Sequence, residues 1–136
     1  MSRPYDPQHN VVTWNLLKGI RNRRISRFIS SWDQLEKLVI RVYRNGQATR
    51  EDRTIFAKLQ RQLKRRYPRF ADQLAPYWRS TTINGEPLEH DPFLALLAPA
   101  SAQAFVENWP MMQTLPAVRQ SLNEWLLDSV TPSADR

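Results

Sequence analysis

Thr49-Arg50-Glu51-Asp52-Arg53-Thr54-Ile55-Phe56-Ala57-Lys58-Leu59-Gln60-Arg61-Gln62-Leu63-Lys64-Arg65-Arg66-Tyr67-Pro68 contains a start signal, a helical period and a stop. Thr49 offers a side-chain oxygen to the free N–H groups of a first turn. Glu51 and Asp52 then place negative charge where the helix dipole favours it. Ile55, Phe56, Leu59, Leu63 and Tyr67 recur at three and four residues and share one face. At ~100° per residue, Arg50, Arg53, Lys58, Arg61, Lys64 and Arg65 fall on the opposite face, with Arg66 at the edge of the apolar arc. Pro68 ends the element, because the residue before a proline is pushed out of the helical region. A helix of this kind buries its apolar side against a partner and leaves its cationic side in water.

The same period extends in both directions. Residues 1–10 are polar with two prolines and read as an irregular arm. Val11, Val12, Trp14, Leu16, Leu17 and Ile20 form a short apolar segment. Ile25, Phe28 and Ile29 follow at helical spacing. Ser31 with Gln34 makes a capping-box pattern, which predicts a new helix carrying Leu35, Leu38, Val39 and Val42. Asn45-Gly46 closes that helix. Beyond Pro68, a short helix with Phe70, Leu74, Tyr77 and Trp78 is expected, limited by Pro76. Thr81-Thr82-Ile83-Asn84-Gly85 is a local hairpin signal. Asp91-Pro92 opens a helix with Phe93, Leu94, Leu96 and Leu97, and Ser101 caps another that reaches Phe105 and Val106. Trp109-Pro110-Met111-Met112 reads as an apolar joint. Thr114 is then expected to cap the last helix, on which Leu115, Val118, Leu122, Trp125 and Leu126 form the stripe.

The fold class that follows is all-α: a single compact domain of five to seven helices over residues 11–130, with room for a small β-hairpin near residues 81–88. Within it, residues 11–80 form a basic part, 81–90 a connector and 91–130 an acidic part. Residues 131–136 read as a disordered tail. A chain of 136 residues is one domain's worth and buries roughly two thirds of its unfolded surface. Leu59, Leu63, Leu122 and Trp125 sit at the centres of their stripes and are the expected core.

Composition removes several classes of function. There is no Cys, so disulfides, thiolate metal sites and Cys nucleophiles are excluded. Gly19, Gly46 and Gly85 are the only glycines, too far apart for a phosphate-cradling loop or a dinucleotide fingerprint. His9 and His90 are the only histidines, and nothing in the sequence places either beside a nucleophile. Glu86, Glu89, His90 and Asp91 have residue types suited to a divalent ion, but they also read as a polar connector with Asp91 serving as a helix cap. No catalytic signature emerges, no cofactor is implied, and a non-enzymatic role is expected. No stretch approaches the ~18 apolar residues of a membrane span, so integral membrane association is not expected. Residues 1–7 lack the apolar stretch of a secretory signal, which makes the cytoplasm the expected location.

Charge is the informative remainder. Residues 1–80 carry 18 Lys and Arg against 6 acids, and residues 81–136 carry 2 against 7, giving +12 and −5. Of the 20 basic residues 16 are Arg, whose planar fork matches phosphate oxygens. A charge dipole of this kind attracts a polyanion to one part of the molecule. The expected function is that of a nucleic-acid-binding or nucleoprotein-accessory protein. Arg21, Arg23, Arg24, Arg27, Arg50, Arg53, Arg61 and Arg65 would hold the phosphate backbone without reading sequence. The alternative is an adaptor or assembly subunit that docks on an acidic protein, or head to tail on a second copy as a homo-oligomer. Tyr43-Arg44 and Trp78-Arg79 are the aromatic–cation pairs least readily explained as core. Arg119, alone among acids, is expected to matter little.

Overall fold

Helix α1, Arg23–Asn45, follows from an apolar stripe that does not break. The computed structural model of the chain describes residues 23–130. The arm at 1–10, the apolar segment at 11–20, Arg21 and the tail at 131–136 lie outside the described residues. Phe28, Ile29, Trp32, Leu35, Val39 and Val42 are buried along one side of α1. The expected helix start at Ser31 is therefore corrected. Ser31 is buried inside α1, and Gln34 donates to Ser30 Oγ one turn earlier at 3.4 Å instead of serving a cap. A capping box needs non-helical chain in front of it, and the stripe from Ile25 through Phe28 to Trp32 keeps the helix continuous. Gly46, at φ +83°, ends α1 in the left-handed region, its N–H donating to the Val42 carbonyl at 2.9 Å.

Helix α2, Arg50–Arg66, starts as its sequence predicts. The Asp52 N–H donates to Thr49 Oγ1 and the Thr49 N–H donates to Asp52 Oδ2, both at 3.0 Å, a complete capping box. Phe56, Leu59 and Leu63 are buried, while Arg50, Arg53, Lys58, Arg61, Lys64 and Arg65 are exposed. The loop Gly46–Thr49 turns α2 back along α1. Pro68 converts the end of α2 into a 3-10 turn, Tyr67–Arg69, before α3, Ala71–Arg79, begins.

The hairpin forms as predicted. Strands β1, Thr82–Ile83, and β2, Glu86–Pro87, pair antiparallel with Thr82 opposite Pro87. Asn84 and Gly85 both have positive φ, +54° and +81°, the backbone of a two-residue turn that suits Asn-Gly. Helix α4, Pro92–Leu96, is capped by Asp91 Oδ1, which accepts from the Phe93 N–H at 2.9 Å. Helix α5, Ala102–Val106, is capped by Ser101 Oγ, which accepts from the Ala104 N–H at 3.1 Å.

Helix α6 runs Trp109–Val130, which corrects the expected start at Thr114. Asn108 Oδ1 accepts from the Met111 N–H at 3.3 Å, and Pro110 fits a first turn because no N–H is needed there. Thr114 lies inside the helix, and its hydroxyl donates to the Pro110 carbonyl at 2.8 Å. The residues read as an apolar joint are thus the opening of α6. Met112 is buried there and Trp109 is 51% exposed.

One core joins these elements. Phe28 meets Phe70 at 4.9 Å between ring centroids, Trp32 meets Phe93 edge-on at 5.3 Å, and Tyr67 stacks on Phe93 at 5.3 Å. Trp125 on α6 closes the cluster against Phe28 and Phe70. Leu59, Leu63, Leu122 and Trp125 are all buried, as expected from their stripes. Among the described residues there are six α-helices and one two-stranded ribbon, an all-α architecture, and no helix is long and apolar enough to cross a membrane.

Candidate functional site

Turning α2 back along α1 brings the last turn of α2 beside the first described turns of α1. Arg24 and Arg27 come from α1, Arg65 and Arg66 from the end of α2, and Arg69 from the 3-10 turn. These five arginines and Phe70 line an open cleft of about 270 Å³. No carboxylate lines it among the described residues. Arg27, Arg65, Arg66 and Arg69 make no ion pair with a described residue. Phe70 forms the apolar floor and is held by Phe28 and Trp125 beneath it. The cations sit at the C-terminal end of α2, where the helix dipole favours positive charge. The result is a fixed concentration of positive potential in a concave wall.

Of the eight arginines expected to form the site, the structure brings three together here: Arg24, Arg27 and Arg65. Arg23 is exposed at the same end of α1 without lining the cleft, and Arg61 is exposed one turn before Arg65. Arg50 and Arg53 stand at the far end of α2, ~18–22 Å away along the axis at 1.5 Å per residue. The Arg53 guanidinium donates to the Ala48 carbonyl at 3.3 Å. Arg21 lies outside the described residues. Sequence reasoning missed Arg66, Arg69 and Phe70. A helical wheel stops at Pro68, so it could not carry Arg69 round to the same side as Arg65. The available signal was Arg66-Tyr67-Pro68-Arg69 itself, a proline turn with a cation on each side.

A second, shallower hollow of about 190 Å³ lies near the other end of α1, lined by Lys37, Ile40, Arg41, Arg44 and Asn45. Its cations are partly spoken for. Lys37 Nζ is 3.1 Å from Asp33 Oδ2, and Arg41 pairs with buried Asp52. Asp52 is held below the usual carboxylate range, first by the Thr49 N–H and then by the Arg41 guanidinium. Tyr43 is 45% exposed, and its ring meets that of Trp109 at 6.4 Å and 31°. Trp32 and Tyr67 are core, as expected, and Trp78, singled out as least readily explained as core, is buried too. Arg79 lies over the Trp78 ring with its guanidinium carbon 5.4 Å from the centroid.

Arg119 requires correction. It is 5% exposed, its Nε donates to Glu36 Oε1 at 2.8 Å, and its Nη2 reaches both Glu36 and Asp33. Glu36 and Asp33 are buried as well. Asp33 pairs with Lys37 at helical spacing, but Glu36 turns inward to a partner 83 residues away. A stretch poor in cations says nothing about what faces it from another helix.

Just after the connector, Asp91 both caps α4 and accepts from the Tyr67 hydroxyl. Burial, and then this bond, push the Tyr67 hydroxyl's pKa far up from its ordinary value. Tyr77 donates to Asp128 at 2.6 Å and is pushed up to about 12, mainly by burial. Among the described residues no group of three or more His, Asp or Glu side chains is placed to hold a metal ion. No protein-family model matches the chain, and no curated protein or solved structure shows significant similarity to it.

Proposed function

We propose that this protein is a non-enzymatic nucleic-acid-binding or nucleoprotein-accessory protein that holds phosphate groups with arginine-rich helices. The observation that carries this reading is the cleft, where five arginines from three consecutive elements converge with no carboxylate among the described lining residues. Ordinary solvated cations on a helix find acids at three or four residues. Arg27, Arg65, Arg66 and Arg69 make no such pair with a described residue, and like charges gathered in a concave wall favour an anionic occupant. Arg44, Arg50 and Arg53 extend the positive surface along the α1–α2 pair toward its other end. Phosphate contacts of this kind position a strand without reading its bases.

The test is direct titration of the purified protein with unrelated single-stranded DNA, duplex DNA and RNA oligomers at low salt, followed by fluorescence anisotropy. Binding to all three without sequence preference is expected, and no binding to any of them would overturn the reading. A second reading, an adaptor that docks on an acidic protein, draws on the exposed Tyr43–Trp109 pair beside Arg44. Tyr, Trp and Arg are the residues that most often anchor protein interfaces. In that case pull-downs would recover a defined protein complex and the oligomers would not bind.

A further inference from the structure

The cleft holds more positive charge than a nucleic-acid backbone delivers to so small a space. A phosphodiester contributes one negative charge, whereas a phosphomonoester carries about −1.5 to −2 at neutral pH. Five arginines line a volume of about 270 Å³, just below the ~300 Å³ at which small-ligand pockets usually begin, and four of them, Arg27, Arg65, Arg66 and Arg69, make no ion pair with a described residue. One backbone phosphate in that volume would leave most of the cations unmatched. We propose that the cleft recognises a compact cluster of phosphates, such as the triphosphorylated end of a strand or a free nucleoside polyphosphate. This rests on reading the arginine-rich surface as a phosphate binder, and it names the part of the ligand that the cleft receives.

Three features support this choice. Arginine binds phosphate oxygens through paired N–H donors, so several forks aimed from different elements suit a group with many terminal oxygens. The cations arrive from α1, α2 and the 3-10 turn and so converge on one space from three elements. Phe70 is only 6% exposed, so its ring offers little surface on which a base can stack. Recognition in the cleft is accordingly of phosphates and indifferent to the base.

The experiment compares one RNA oligomer with a 5′-triphosphate or a 5′-hydroxyl end at near-physiological salt, with inorganic tripolyphosphate and a nucleoside triphosphate as competitors. The triphosphorylated end is expected to bind at least ~10-fold more tightly, and tripolyphosphate should displace it. Arg27→Gln with Arg69→Gln should abolish the end preference, while Lys58→Gln, on an exposed part of α2 outside the cleft, should preserve it. Circular dichroism of each variant establishes that the fold is retained. Equal affinity for both ends, with no displacement by tripolyphosphate, would overturn the proposal and leave backbone binding standing. Binding of tripolyphosphate or the nucleotide without binding of any oligomer would support the cleft assignment, identify a free polyphosphate as its source, and remove the nucleic-acid reading.

Discussion

Arg119 joins α6 to α1 through two carboxylates that have left water, Asp33 and Glu36. Taking charges out of water is expensive, and the geometry of the pair offsets that cost. Removing the cation alone leaves both acids buried without the guanidinium, Asp33 keeping only Lys37 at the edge of solvent. Arg119→Gln should therefore cost about 3–5 kcal/mol, measured as the shift in the urea midpoint at constant slope. A loss under about half a kcal/mol, typical of a surface substitution, would mean that the pair is open to solvent. Asp52 makes a pH-dependent prediction. Its carboxyl is held below its ordinary value of 3.8 by the Thr49 N–H and then by Arg41. A depressed value in the folded state means stability that is present above 3.8 and lost as pH falls through the folded value. Acid titration of the urea midpoint should fall more steeply for the native chain than for Asp52→Asn. Parallel profiles would contradict the assignment of this carboxylate as a folding contact.

Helix α2 does its structural work with one side and presents arginine with the other. Leu59 lies at the centre of the buried side, 4% exposed. Leu59→Ala should cost roughly 2–5 kcal/mol, a transfer contribution plus the cavity left behind. Thermal or chemical denaturation that moves by less than half a kcal/mol would show that the side chain has no packed neighbours. Elements whose signals are local were legible in the sequence: the Thr49 and Ser101 caps, the Asp91-Pro92 start, the Asn84-Gly85 turn and the stop at Pro68. Element starts at Ser31 and Thr114 were misplaced for a common reason. A Ser or Thr at suitable spacing resembles a cap wherever it occurs, and only the apolar stripe on both sides decides whether the chain in front is helical. In α1 that stripe continues through Ile25, Phe28 and Trp32, and in α6 Asn108 and Pro110 begin the helix earlier.

On the scale of the molecule, the uneven charge of the chain becomes a local feature. Cations that are spread over residues 24–69 in sequence meet at one end of the α1–α2 pair because the short loop Gly46–Thr49 reverses the chain. Half of the site could be read before folding, since Arg24 and Arg27 were singled out as a cationic cluster and Arg65 by its place on the polar face of its helix. The other half depends on tertiary geometry: Arg69 is aimed by the turn at Pro68, and Phe70 is seated by Trp125, 55 residues later in the chain. Arg50 and Arg53 were grouped with them because a wheel projects a helix down its axis and discards distance along it.

The most direct test of the central claim is the salt dependence of nucleic-acid affinity for the native chain and for a variant with Arg24, Arg27, Arg65, Arg66 and Arg69 replaced by Gln. Each phosphate neutralised contributes a slope of about −0.7 to −0.9 in log K against log salt, through released counterions. The account predicts a steep slope for the native chain. For the variant it predicts a flatter slope and weaker binding to every sequence, with the helical circular dichroism spectrum unchanged. A variant that keeps the native affinity and slope would contradict the claim that the arginine cleft is the phosphate-binding site.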